Sequence, residues 1–283
     1  MTISGFVDGG FDGNSNLRSD MYDDFAKYLI DIVELLISEG IPVVTELSSV
    51  NEPQWFWDSS KGQERAHYSP DEVVKLLRAI IEEAEKRNLN IKINAPESRK
   101  WKSSRKYADA MFTDQLINEK VSEFHVHSYW SSSLDKKLFV NYLERKYPDK
   151  KIVMSEWCEM VNGRDYSMDL ALTLAREIID DILTRKVIEW HYWIAVSKYD
   201  FRDGLIYVDY GEDGNIKNIT PTKRLWVMGN FSKFVEIESK VVNLSYEKNG
   251  YLEAIAFKSL NEEEIVIVIL NPSDFPHELF IDF

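Results

Sequence analysis

The feature that most constrains this chain is an exchange of two hydrophobic periods, in which short apolar runs alternate with amphipathic helical stretches from residue 20 to residue 235. The first stretch, 20–38, carries Phe25, Leu29, Ile32, Val33 and Leu36 at helical spacing, with Asp20 as the expected N-cap and Gly40 as the stop. A strand is expected over 41–50. The helix after it, 70–86, is announced by a capping box: Ser69 at the cap, Pro70 at the first helical position and Glu72 three residues on. Strands at 90–96, 122–129, 151–156 and 187–195 then alternate with helices at 105–119, 135–146, 168–185 and 222–235. Strands spaced one helix apart predict parallel βα units, because a parallel neighbour is reached only through a crossover. After Val235 the pattern changes to strands and turns: KVVNLSY, YLEAIAF, EEIVIVIL and ELFIDF, punctuated by Asn249-Gly250 and Asn271-Pro272. The expected division is therefore an α/β unit over 1–235 and a small β-module over 236–283.

Composition narrows the function classes. With 48 acidic against 34 basic residues the net charge is −14, so no basic surface favours nucleic acid. No run of 18 apolar residues exists to span a membrane, and MTISGFVDGG reads as no signal peptide. The lone Cys158 allows no internal disulfide; no His–Asn partnership for it is visible, so it is read as a small buried residue.

Seven of the eight tryptophans (Trp55, Trp57, Trp101, Trp130, Trp157, Trp190 and Trp193) fall on the C-terminal halves of expected strands or just after them. In a parallel barrel those loops form the active-site face. The rings either pack beneath the loops or line a flat cleft suited to sugar rings, and the second reading is favoured. Two carboxylates share that rim: Glu52 in VNEPQW and Glu156 in MSEW. Paired carboxylates are what glycoside hydrolysis needs, one to protonate the leaving oxygen and one to attack the anomeric carbon or activate water. The competing reading makes each an ordinary solvated loop carboxylate. His125, His127 and Tyr129 share one strand face. A His-x-His pair can hold a metal, yet His67, His191 and His277 supply no ligand spacing; hydrogen bonding to substrate is preferred, core packing is the alternative, and no metal or cofactor is expected.

These residues resemble a known family. NEPQWFW at 51–57, QERAHYSPDEVV at 63–74, HSYW at 127–130, SEW at 155–157, YWIAVSKYDFRDGLIYVD at 192–209 and TKRLWVMGNFSKFV at 222–235 resemble glycoside hydrolase family 30, and two of them look most like its endo-β-1,6-galactanases. The resemblance implies a (β/α)8 TIM barrel, here partial, with strands four to eight present and an incomplete C-terminal β side domain. It implies a retaining double displacement on a β-linked polysaccharide or oligosaccharide, with Glu52 as acid/base and Glu156 as nucleophile. Asn51 would hydrogen-bond the sugar 2-hydroxyl, and His127 and Tyr129 would project into the site. Trp193 would form its floor, Trp55 and Trp57 its wall, and Trp157 is counted with the substrate-binding residues. Because Met1 aligns just after the family's strand three, strands one to three and an arginine on strand two are expected to be missing, and the parent to be secreted. An open arc is expected to be weakly active or inactive and to self-associate through its barrel edges. The alternative is a carbohydrate-binding remnant that turns nothing over.

Overall fold

Two hydrophobic periods produce two kinds of element, and a computed structural model places them for residues 17–41, 46–55, 67–184, 186–245 and 252–281. Five strands, β1 (Glu46–Ser48), β2 (Lys92–Ser98), β3 (Glu123–His127), β4 (Lys151–Glu156) and β5 (Val187–Trp190), form one sheet in chain order. Every neighbouring pair is parallel. Helices α1 (Tyr22–Ser38), α2 (Pro70–Lys86), α3 (Arg105–Thr113), α4 (Gln115–Lys120) and α5 (Ser133–Lys146) accompany the strands. This is the α/β architecture of a partial (β/α)8 barrel. The chain divides into two compact units, Met1–Trp157 with Val187–His191 and Cys158–Lys186 with Tyr192–Phe283.

In the first unit α2 buries Val73, Leu76, Leu77, Ile80 and Ile81. Each contributes about 1.5–3 kcal/mol of transfer free energy. Its expected capping box is present: the Ser69 hydroxyl accepts from the Glu72 amide at 3.3 Å, and the Glu72 carboxylate accepts from the Ser69 amide at 2.8 Å. Arg87 ties the end of α2 to α1 through Asp31 at 2.5 Å and Glu34 at 2.7 Å. Gly40 ends α1 at φ +79°, a conformation that costs glycine nothing. The N-cap of α1 is Met21 rather than Asp20, whose carboxylate is taken by Arg18 at 2.8 Å. The expected helix 105–119 breaks at Asp114, which turns extended and caps α4 by accepting from the Ile117 amide at 3.1 Å.

The second unit holds α6 (Met168–Ile179), which loosens into a π turn at Asp180–Thr184, where two carboxylates oppose the helix dipole. A three-stranded sheet, β6 (Val196–Ser197), β7 (Ile206–Tyr210) and β8 (Ile216–Pro221), occupies the stretch before α7 (Lys223–Ser232). No strand was expected between 196 and 221; Tyr207 and Val208 are buried there through a turn at Gly204, where an added Cβ would meet three atoms at 3.0 Å. Arg224 locks this turn, donating to the Gly204 carbonyl at 2.6 Å and the Tyr207 hydroxyl at 3.0 Å. The expected β-module yields three antiparallel strands, β9 (Lys240–Val242), β10 (Glu253–Lys258) and β11 (Ile265–Leu270). ELFIDF does not form a fourth strand in its described part, since Asn271 closes a turn onto Ser273 and Phe275 and leaves Phe280 90% exposed. The Asn249-Gly250 turn lies outside the described residues. An apolar groove of about 600 Å³ runs between α6, α7 and β11. Among the described residues, no helix is long and apolar enough to cross a membrane.

Candidate active site

The site stands at the C-terminal ends of β1 to β4, and irregular backbone aims its carboxylates. Between β2 and β3 the register slips: Ala95 pairs with Phe124 but Ser98 with Val126, so β2 carries one extra residue at Pro96–Glu97. Between β3 and β4 it slips again, Val126 pairing with Met154 and His127 with Glu156, so Ser155 is extra. A bulge re-aims side chains that strict alternation would send to opposite faces. Here it turns both Ser155 and Glu156 toward residues of β2 and β3. Glu52 and Glu97 adopt φ of +46° and +53°, a left-handed conformation that costs a residue with a Cβ about 1–2 kcal/mol. They are tied together, since the Glu52 amide donates to the Glu97 carbonyl at 2.9 Å. Strain of this kind gathers at functional sites.

The side chains converge on one imidazole. His127 Nδ1 lies 3.1 Å from Glu52 Oε1 and 3.8 Å from Glu156 Oε1, while its Nε2 lies 3.1 Å from Glu97 Oε2. One oxygen of Glu52 and one of Glu156 approach within 4.8 Å of each other. The Tyr129 hydroxyl donates to Glu156 Oε1 at 3.0 Å. Glu97 also accepts from Ser48 Oγ at 2.8 Å and from Ser155 Oγ, and His125 Nδ1 lies 3.3 Å from it. Burial opposes charge on the imidazole, yet hydrogen bonds to Glu52 and Glu97 and the field of Glu156 raise the His127 pKa to about 9. Burial likewise favours neutral Glu97, but His125 and His127 hold it well below the usual carboxylate range.

At the rim Arg99 is sandwiched between two indoles, 3.4 Å above the Trp55 ring and 4.3 Å from the Trp130 ring. Its Nε reaches to 4.0 Å from Glu52 Oε2. Desolvation lowers the pKa of its guanidinium, and the charge of Glu52 partly offsets that. Below the site Glu46, Glu123 and His125 bring donor atoms within 4.8 Å of one another, but Lys92 Nζ bridges the two carboxylates at 3.1 and 3.2 Å and stands where a cation would.

The expected site residues therefore divide. Glu52, His127, Tyr129 and Glu156 meet, and Asn51 immediately precedes Glu52 as a half-buried residue. Trp55 and Trp130 are 43% and 56% exposed and present open ring surface. Trp157 is buried against Trp190 with ring centroids 6.1 Å apart, and Trp101 is buried with its indole N–H on Ser128 Oγ at 3.0 Å. Trp193 belongs to the second unit and is 41% exposed there; Trp57 lies outside the described residues. Glu97 and Arg99 were missed by sequence reasoning. The signal was present, because Glu97 follows the apolar run of 90–96 and stands four residues before Trp101, as Glu52 and Glu156 stand beside theirs.

The model of O-glycosyl hydrolase family 30 matches residues 4–129 and 149–207, more than half of the chain. The chain belongs to that family. Solved structures share the fold. A conserved exported protein from Bacteroides fragilis superposes with a TM-score of 0.77 at 22% identity, over 95% of this chain and 62% of its own. A GH30 endoxylanase from Clostridium papyrosolvens C71 gives 0.68 at 22% identity, over 90% and 57%. An endo-β-1,6-glucanase gives 0.70 at 18% identity, over 91% and 58%. This family 30 chain thus spans about 60% of the length of those structures.

Proposed function

We propose that this chain carries the catalytic pair of a retaining β-glycoside hydrolase, with Glu52 as general acid/base and Glu156 as nucleophile. The observation that carries the reading is the approach of their oxygens to within 4.8 Å. Retaining enzymes set their carboxyl groups about 5–5.5 Å apart, whereas inverting ones leave about 6.5–9.5 Å for a water. In the first step a Glu156 oxygen bonds to the anomeric carbon while the glycosidic C–O bond breaks and its electron pair takes the proton of Glu52. In the second, Glu52 takes a proton from water, the hydroxide oxygen bonds to the anomeric carbon, and the Glu156 carboxylate leaves. Asn51 is assigned the 2-hydroxyl of the reacting sugar, His127 and Tyr129 the hydrogen bonds to the carboxylates, and Trp55, Trp57 and Trp193 the sugar faces, while Trp157, buried against Trp190, backs Glu156 rather than meeting the sugar. A β-linked polysaccharide is the substrate class, and β-1,6-galactan is the member favoured by the NEPQW and 192–209 segments.

One observation favours a second reading, sugar binding without turnover: β1 and β5 end the sheet, each paired on one side only among the described residues. Such edges also favour self-association. Aryl β-glycoside hydrolysis separates the readings. Turnover that falls by about 10²–10⁴ in Glu52→Gln and in Glu156→Gln is the expected result. Turnover indifferent to Glu156→Gln would overturn it, and saccharide binding retained by a wild type without turnover selects the second reading.

A further inference from the structure

We propose that Glu97 is a positioning residue of this site: it anchors Nε2 of His127 so that the opposite ring nitrogen is presented, as a donor, between Glu52 and Glu156. The inference rests on the glycosidase reading for its catalytic consequence, but its geometry stands alone. Both nitrogens of the buried ring face carboxylates, Glu97 at 3.1 Å on one side and Glu52 and Glu156 at 3.1 and 3.8 Å on the other. A neutral imidazole has only one N–H and would turn a lone pair toward one of these anions; the imidazolium has two N–H groups and satisfies both sides. The requirement that keeps it charged is a fixed anion behind it, and Glu97 is built as one. It is itself pinned by Ser48 Oγ at 2.8 Å and by Ser155 Oγ, with His125 Nδ1 at 3.3 Å, on left-handed backbone at φ +53°.

The placement matters because the two catalytic carboxylates exchange charge. When substrate binds, Glu156 is ionised and Glu52 carries the proton. In the glycosyl-enzyme Glu156 is esterified and Glu52 is the anion. A cationic donor poised between them follows the negative charge by leaning from one oxygen to the other, without a change in the charge of His127. Glu97 neither gives a proton nor attacks; it fixes the ring from which the donor leans.

The groups in contact with His127 are Glu52 after β1, Glu97 of β2, Tyr129 after β3 and Glu156 of β4; Arg99 stands beside Glu52, and His125 stands beside Glu97 and Glu123. The test reads the ring directly in the full chain without substrate, by nitrogen-15 NMR titration of His127. In the wild type both ring nitrogens are expected to be protonated at pH 7, with a midpoint raised to about 9. Glu97→Gln, which keeps the shape and removes the charge, is expected to lower that midpoint by at least about one unit. If that variant fails to fold, Glu97→Asp, which withdraws the charge by one methylene, is expected to lower it by a smaller amount. With an aryl β-glycoside, kcat is expected to fall by about tenfold to a hundredfold with KM little changed, and the alkaline limb of kcat to move down with the ring. An unmoved His127 titration in a folded variant refutes the proposal, as does a lower kcat with an unshifted pH profile. The titration needs no turnover, so it decides Glu97 even where the glycosidase reading fails.

Discussion

Removing one oxygen from Tyr129 should stall this site in its second step rather than its first. The Tyr129 hydroxyl donates to Glu156 Oε1 at 3.0 Å from a buried ring that packs edge-on to His127 at 5.8 Å and against Trp130 at 5.4 Å. Tyr129→Phe keeps those ring contacts and deletes only the donor. A hydrogen bond to a charged acceptor contributes about 1.5–3 kcal/mol. On the proposed mechanism Glu156 loses its charge during attack, so the bond weakens on the way to the first transition state and its absence does not slow that step. During hydrolysis the carboxylate leaves and its charge returns, so the same bond strengthens toward the second transition state. At about 1.4 kcal/mol per tenfold, its loss slows deglycosylation by about 10- to 150-fold. With a dinitrophenyl β-glycoside in stopped flow, the variant should show a burst of phenolate and a kcat lowered by that factor. KM should fall in parallel and leave kcat/KM within about threefold of wild type. A variant whose kcat/KM falls as far as its kcat, with no burst, would refute the reasoning that assigns Tyr129 to the departing carboxylate.

Two further outcomes follow from burial and charge. Glu97, held low, stabilises the fold above its unfolded value near pH 4.3, and that contribution is lost as pH falls below it. His127, raised to about 9, contributes fully below about pH 6.5 and loses its contribution as pH rises through 9. Calorimetry should therefore find the highest Tm between about pH 5 and 6.5, with an alkaline decline that flattens in His127→Gln; an undiminished decline in that variant counts against the assignment. The tryptophans should also divide by burial. Trp101→Ala, at a fully buried ring set against Phe139 at 5.9 Å, should cost about 3–5 kcal/mol in urea unfolding, while Trp226→Ala, 65% exposed, should cost under about 0.5; equal costs would contradict the division.

The strand and helix order was legible because burial in a parallel sheet demands continuous apolar runs, and β2, β3 and β4 supply them in Ile93, Phe124, Val126, Ile152 and Val153. The capping box at Ser69 was legible because its chemistry is local. Asp20 and Asp114 were misjudged although their chemistry is equally local: each short carboxylate has several partners within reach, and the sequence does not rank Arg18, two residues before the one, or the Ile117 amide, three residues after the other, above the alternatives. The sheet β6–β8 was hidden because charged and aromatic residues of YDFRDGLIYVD break the alternation, while the order that builds it comes from Arg224, seventeen residues beyond Tyr207.

The catalytic candidates were legible by a rule that could not rank them. A carboxylate just past a strand and close to a tryptophan describes Glu52, Glu97 and Glu156 equally. Strict alternation then fails, because bulges at Glu97 and Ser155 shift which side chains face inward. What separates the three is how many donors each already accepts. Glu97 takes Ser48, Ser155 and His127, with His125 beside it, so both oxygens are spoken for. A carboxylate so saturated is held ionised and its lone pairs are engaged, which suits it to neither proton donation nor attack. Among the described residues Glu52 has one close partner in His127, with Arg99 no nearer than 4.0 Å, so its second oxygen is left open for the acid/base role proposed for it. Sequence supplies the three acids, and the donors around them divide the labour.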